Sequence, residues 1–223
     1  ELIDALHRAG KKIILVNCSG SPIGLEPETQ KCEAILQAWY PGQQGGTAVA
    51  EVLFGDYNPA GKLPVTFYRN VSQLPDFEDY NMTGRTYRYM QDVPLFPFGY
   101  GLSYTTFGYG KTVLDKNELT AGQSLKLTVP VTNTGKRNGE EVVQVYLRKQ
   151  GDAEGPIKTL RAFKRVSIPA GKTVNVEFDL KDKELEWWDD QSNTVRVCPG
   201  SYDIMVGGSS KEEDLQRTTV AIK

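Results

Sequence analysis

The hydrophobic pattern changes its period once along the chain. At the start, Leu2, Ile3 and Leu6 fall on one helical face, and Gly10 stands where a helix would stop. "KIILVNCSG" (12–20) is a wholly apolar run ending in small residues, which suits a strand covered on both faces in a parallel sheet. "CEAILQAWYPG" (32–42) repeats that pattern before a Pro-Gly breaker. "GGTAVAEVLFGD" (45–56) predicts a helix between Gly45-Gly46 and Gly55, with Ala48, Val49, Val52 and Leu53 as its buried stripe. "KLPVTF" (62–67) predicts one more short strand. Helix, strand, strand, helix, strand is an α/β order, too short for a whole doubly wound domain. It predicts two or three strands of a larger, mostly parallel sheet.

From about 68 to 95 the chain is polar and aromatic with weak periodicity, which predicts an extended connection. From about 103 the period is two. Leu125, Leu127, Val129 and Val131 alternate with polar residues, as do Val143, Val145 and Leu147, then Val174, Val176 and Phe178. Asn133-Thr134-Gly135, Pro169-Ala170-Gly171 and Pro199-Gly200 supply turns. That spacing predicts a β-sandwich of six or seven strands in residues 103–223. The fold class is therefore α/β plus all-β, divided into 1–67, a connecting segment 68–102, and 103–223.

Composition narrows the function classes. The 223 residues carry a net charge of −2 with scattered basic residues, so neither nucleic acid nor an anionic membrane is an expected partner. No apolar run approaches a membrane helix. Cys18, Cys32 and Cys198 match no zinc spacing and are expected as free thiols, although a Cys18–Cys32 disulfide stays open. One histidine, His7, all but excludes a His-based metal site or a Ser-His-Asp triad, and no cofactor is expected. "GYGKT" (108–112) lacks the spacing of a phosphate loop. The opening "ELIDALHRAGKK" reads as a helix already under way, so the chain is expected to begin inside a larger protein. A parallel sheet cut midway leaves an apolar face that a neighbour, a dimer or partial disorder must deal with.

Carboxylates are the remaining candidates for chemistry, because paired acids need no histidine. Glu26, Glu28 and Glu33 follow the first strand, at the sheet end where α/β ligands sit, but acids there also suit a solvated helix start. Asp76, Glu78 and Asp79, and Asp189-Asp190 after Trp187-Trp188, look like solvated loops. "GRTYRYM" (84–90) alternates Arg85 and Arg88 with Tyr87 and Tyr89. Such groups bind polyhydroxylated ligands, or hold a domain joint through Arg–carboxylate pairs. Trp39 and Tyr40 stand at a strand end, either as a pocket wall or as plain packing. Asn17, Asn70 and Asn81 head N-x-[ST] matches, with Asn17 a poor acceptor at the end of a strand.

"FPFGYGLSYTTF" (96–107) places five aromatics among three breakers where the polar connection meets the β region. That position favours packing at a domain joint over a sugar platform. Together with "YPGQQGGTAVAEVLFGDYNPAGKLPVTF" (40–67), it strongly resembles glycoside hydrolase family 3, which includes β-glucosidases and β-xylosidases. "GRTYRYM" resembles the β-xylosidase branch.

The resemblance implies a barrel, then an α/β sandwich, then a fibronectin type III-like domain. This chain would supply the end of the second and all of the third. It implies a retaining exo-acting enzyme that hydrolyses terminal β-D-xylosyl or β-D-glucosyl residues by double displacement. The nucleophilic aspartate and the acid/base glutamate would both lie upstream of Glu1, so no catalytic residue is assigned in this chain. The substrate-rim candidates are Trp39, Tyr40, Arg85, Tyr87 and Arg88. The implied partners are a β-linked oligosaccharide or aryl glycoside and an N-terminal barrel. The implied location is periplasmic or secreted. The alternative is a non-catalytic carbohydrate-binding or structural module.

Overall fold

A computed structural model describes all 223 residues. Helix α1 (Leu2–Arg8) leads into strand β1 (Ile14–Asn17), and the short helix α2 (Glu26–Thr29) leads into β2 (Ala34–Gln37). The two strands pair in parallel, Ile14 opposite Ala34 and Asn17 opposite Gln37. Helix α3 (Gly45–Phe54) follows and ends on Gly55, whose φ of 83° is the left-handed C-cap that glycine adopts without strain.

Two expectations fail here. The stripe on α3 is not buried, since Ala48 is exposed and Leu53 is 37% exposed. "KLPVTF" does not join the parallel sheet. Leu63 and Phe67 pair instead with the 95–100 stretch: Leu63 N donates to Tyr100 O at 2.8 Å, Gly99 N to Leu63 O at 2.8 Å, and Phe67 N to Phe96 O at 2.9 Å. Only Phe67–Phe96 forms a β-bridge. With two parallel strands present, periodicity predicts faces that this chain has nothing to cover with.

The connection contains a short helix, α4 (Thr86–Tyr89). The sandwich follows, with β3 (Phe107–Tyr109), β4 (Val113–Leu114), β5 (Glu118–Leu119), β6 (Leu125–Asn133), β7 (Gly139–Lys149), β8 (Thr159–Ile168) and β9 (Thr173–Leu180). After the short helix α5 (Asp182–Leu185) come β10 (Trp187–Asp189), β11 (Thr194–Arg196), β12 (Gly200–Gly207) and β13 (Gln216–Ile222). Six of these, β6 to β9, β12 and β13, run seven residues or longer. One sheet orders β5-β13-β12-β7-β8; in the other, β6 pairs with β3 and β4 along one side and β9 along the other; β10–β11 is a separate hairpin.

The break between β3 and β4 lies beside Pro130 of β6. A proline cannot donate to the ladder, and only its carbonyl is used, accepting from Gly110 N at 2.7 Å. Alternate residues of β6 and β9 enter the core, among them Leu125, Leu127, Val129, Val176 and Leu180. β7 departs from alternation, because Gln144 and Tyr146 are buried on its other face. What covers that face is the aromatic stretch and α4. Phe98 stacks on Tyr87 at 4.3 Å, and Tyr87 meets Tyr146 edge-on at 5.8 Å. Gln144 Nε2 donates to Gly99 O at 3.1 Å and Gly208 O at 2.6 Å. Lys62 and Glu141, both largely buried, pair at 3.0 Å across the same joint. Phe96 stacks on Tyr100, and the Tyr104 hydroxyl donates to Val52 O at 2.6 Å. Phe96, Phe98, Tyr100 and Tyr104 of "FPFGYGLSYTTF" pack at the joint, while Phe107 already packs against the sandwich core.

Candidate functional site

Both parallel strands point their carboxyl ends at one edge, where backbone carbonyls give way to loops and ligands gather in open α/β sheets. Asn17 ends β1 and Gln37 ends β2. Asn17 Nδ2 donates to Gln37 Oε1 at 2.6 Å and to Ser19 Oγ at 2.9 Å, which fixes the two loops side by side. The Asn17 amide is thereby engaged, as its strand-end position predicts for a poor glycan acceptor.

Trp39 follows β2 with φ of 56°, a left-handed conformation that is unusual for a bulky residue. Its ring meets Phe67 edge-on at 6.1 Å. Tyr40 beside it is 80% exposed. Its ring passes over Gly20 so closely that a Cβ there would lie 2.5 Å from Cε2, so a side chain at Gly20 would push the exposed Tyr40 ring aside. A strained backbone that projects an exposed aromatic at a ligand edge is the pattern expected of a binding rim.

Five of the nominated carboxylates, Glu26, Asp76, Asp79, Asp189 and Asp190, are engaged by side-chain bonds. Glu26 pairs with Arg69 at 2.9 Å. Asp76 and Asp79 cap local turns, accepting from Glu78 N and Asn81 N, each at 2.9 Å. Asp189 accepts from Ser192 Oγ at 2.6 Å and Arg196 Nε at 2.7 Å. These bonds lower its pKa to about 2, with the Ser192 bond the larger cause. Glu28 and the burial of Cys32 both raise the Cys32 thiol, burial being the larger cause. All three cysteines are free, Cys18 exposed and Cys198 buried.

The arginine–tyrosine segment divides in two. Arg85 turns back on its own loop, Nε donating to Asn81 O at 3.0 Å and Nη2 to Asp79 O, so it meets backbone carbonyls and not carboxylates. Tyr87 belongs to the joint, where its hydroxyl also accepts from Leu160 N at 3.1 Å. Arg88 is fixed through its backbone, whose carbonyl accepts from Ile157 N at 2.6 Å. Its side chain enters a cavity shared with the β10–β11 hairpin. Trp39 and Tyr40 therefore share one edge, while Tyr87 and Arg88 lie along the joint with the sandwich and Arg85 is held within its own loop. Sequence reading did not single out Arg161, which lines the same cavity from β8; alternation along a strand carries no signal for it.

Residues 1–104 match the family described as glycosyl hydrolase family 3 C-terminal domain, and residues 141–210 match a fibronectin type III-like domain. A xylan 1,4-beta-xylosidase of Xylanibacter ruminicola is 56% identical over 222 residues, spanning 100% of this chain and 25% of that protein. A periplasmic beta-glucosidase of Salmonella typhimurium is 39% identical, over 94% of this chain and 29% of its own length. A solved β-glucosidase from Erythrobacter marinus superposes with a TM-score of 0.86 at 40% identity, over 100% of this chain and 29% of that one. The chain spans about a quarter to a third of these relatives, in each case their C-terminal part. No helix is long and apolar enough to cross a membrane. The chain belongs to glycoside hydrolase family 3, of which it carries the C-terminal domain followed by a fibronectin type III-like domain.

Proposed function

We propose that this chain is the C-terminal portion of a retaining, exo-acting β-glycosidase that removes terminal β-D-xylosyl or β-D-glucosyl residues. In this reading its division at 1–67, 68–102 and 103–223 separates a piece of the α/β sandwich, a joint, and a supporting sandwich. The nucleophile and acid/base belong to an N-terminal barrel and to upstream parts of the α/β sandwich. Trp39 and Tyr40 form part of the substrate rim. Arg85, Tyr87 and Arg88 are the further candidates for that rim. The kinship to a periplasmic β-glucosidase supports a periplasmic or secreted enzyme.

The observation that carries the rim assignment is the pairing of a strained Trp39 with an exposed Tyr40 at the carboxyl edge of β1 and β2. An exposed aromatic there offers its face to a sugar, while the strained Trp39 beside it anchors the loop edge-on against buried Phe67.

The test uses p-nitrophenyl β-xyloside and β-glucoside. The 223-residue chain should show no turnover, because neither carboxylate of a double displacement is assigned to it. In the complete protein that carries it, Tyr40→Ala should raise KM roughly tenfold with kcat changed less, as loss of uniform substrate binding does. Turnover by the chain alone would refute the division of labour, and an unchanged KM would refute the rim.

A further inference from the structure

A cavity of about 470 Å³ lies between α4, the 152–159 loop and the β10–β11 hairpin, a volume within the range of small-molecule sites. It is far from a plain surface dip, because two arginines line it without ionic partners. The arginines that form ion pairs are Arg69, Arg165, Arg196 and Arg217. Arg88 and Arg161 form none. Nε of each is buried without a hydrogen-bond partner, and so is Thr159 Oγ1 in the same wall. Burial first, and the charge of Arg88 second, disfavour the protonated form of Arg161. Two guanidiniums that repel each other in a half-buried wall create a demand for one anion.

The surroundings define which anion. Asp152 and Asp190 also line the cavity, but indoles hold them: Trp187 Nε1 donates to Asp152 at 2.6 Å and Trp188 Nε1 to Asp190 at 2.8 Å. Glu154 and Glu186 also line the cavity and form no salt bridge with either arginine, although Arg161 Nη2 donates to the Glu186 backbone carbonyl and the Glu186 charge partly offsets the repulsion on it. No set of three ligating side chains here could hold a metal ion. Acids around an arginine pair disfavour a multiply charged phosphate and accept a single carboxylate. The guanidinium is the group suited to that ion, because its planar fork matches a carboxylate's two oxygens. Trp188 also lines the cavity and is 48% exposed, which leaves an indole available to stack on a sugar. A lone carboxylate side chain would leave most of the cavity empty, whereas a hexuronic ring would use it.

We propose that this cavity is a subsite for a carboxylate-bearing sugar, a uronic acid residue or uronic acid substituent of a glycan. Arg88 and Arg161 take the carboxylate, and Trp188 takes the ring. The subsite is separate from the edge at Trp39 and Tyr40, and it stands independently of the hydrolytic reading.

The test is binding to the intact chain, measured by calorimetry and tryptophan fluorescence, with sodium D-glucuronate, D-glucose and sodium acetate as probes. Glucuronate should bind and change the emission, and glucose at the same concentration should not. Arg88→Gln should weaken glucuronate at least tenfold; its side chain makes no hydrogen bond or ion pair, only a cation–π contact with Tyr89 at 5.5 Å, so the thermal midpoint should move by no more than a degree or so. Trp188→Ala should weaken glucuronate about tenfold while leaving acetate unchanged. Absence of glucuronate binding, or equal binding of glucose, overturns the proposal. Acetate binding as tightly as glucuronate overturns it as well, and reassigns the arginines to a carboxylate of another protein segment.

Discussion

Lys158 is only 6% exposed, and its ammonium ends on two oxygens, the Ser210 carbonyl at 2.8 Å and the Glu212 carboxylate at 2.7 Å. Burial pushes the Glu212 carboxyl up, but the Lys158 bond and the charges of Lys158 and Arg217 outweigh it, so its pKa lies below the ordinary value of 4.5. A carboxyl depressed in the folded state stabilises the fold fully above its unfolded pKa. That contribution fades as pH falls from there through the lower, folded value. Glu212→Gln should therefore flatten the acid limb of the stability–pH profile in urea titrations. At neutral pH it should cost about 1–2 kcal/mol, between the values for exposed and for buried pairs, because Lys158 is left with one partner. A profile that keeps its acid limb in the variant would mean that other carboxyls set it. This pair was illegible in the sequence: Lys158 and Glu212 are far apart along the chain and are joined only by sheet topology. Arg88 stood out in its arginine–tyrosine alternation, whereas Arg161, which completes the same cavity, lies in a strand whose pattern marks nothing.

At the scale of elements, what period could reveal depended on whether a face had a partner within the chain. β6 and β9 alternate cleanly because one face meets the core and the other meets solvent. β7 is covered on both faces, so its run of buried residues from Val143 to Leu147 breaks the period that had identified it. The α3 stripe was legible as a stripe but has no cover here. "KLPVTF" was legible as extended but not its partner, since no local signal tells a parallel sheet from a bridge to residues 95–100. The joint itself depends on Gly99, whose φ is 78° and where a Cβ would lie 2.0 Å from Gln144 Oε1. Gln144 is 3% exposed and bonded on three sides, to Gly99, Gly208 and Tyr146, so it cannot swing away cheaply. Gly99→Ala should cost about 2–3 kcal/mol, from left-handed strain plus overpacking. The thermal midpoint should drop by several degrees. A midpoint within a degree of the parent would show that the stretch is not pinned to β7.

Over the whole molecule, the core is distributed unevenly. Twenty buried residues form one cluster, and all of them belong to the sandwich. Before residue 60 the buried apolar residues are Ile13 and Leu25 alone, while Leu2, Ile14 and Phe54 are 73%, 53% and 83% exposed. Two parallel strands with one uncovered face fall below the three or more that a sheet needs for independent stability. Their amides should open locally, without waiting for global unfolding. Hydrogen exchange on the 223-residue chain should thus show β1 and β2 exchanging orders of magnitude faster than β6, β7 and β12. The aromatic joint, tied to β7, should show intermediate protection. In a complete protein whose further strands cover the sheet, β1 and β2 should rise toward the sandwich in protection while β6, β7 and β12 change little. Equal protection of both halves in the isolated chain would mean that α1 and α3 suffice as cover, and that the exposed face needs no further partner.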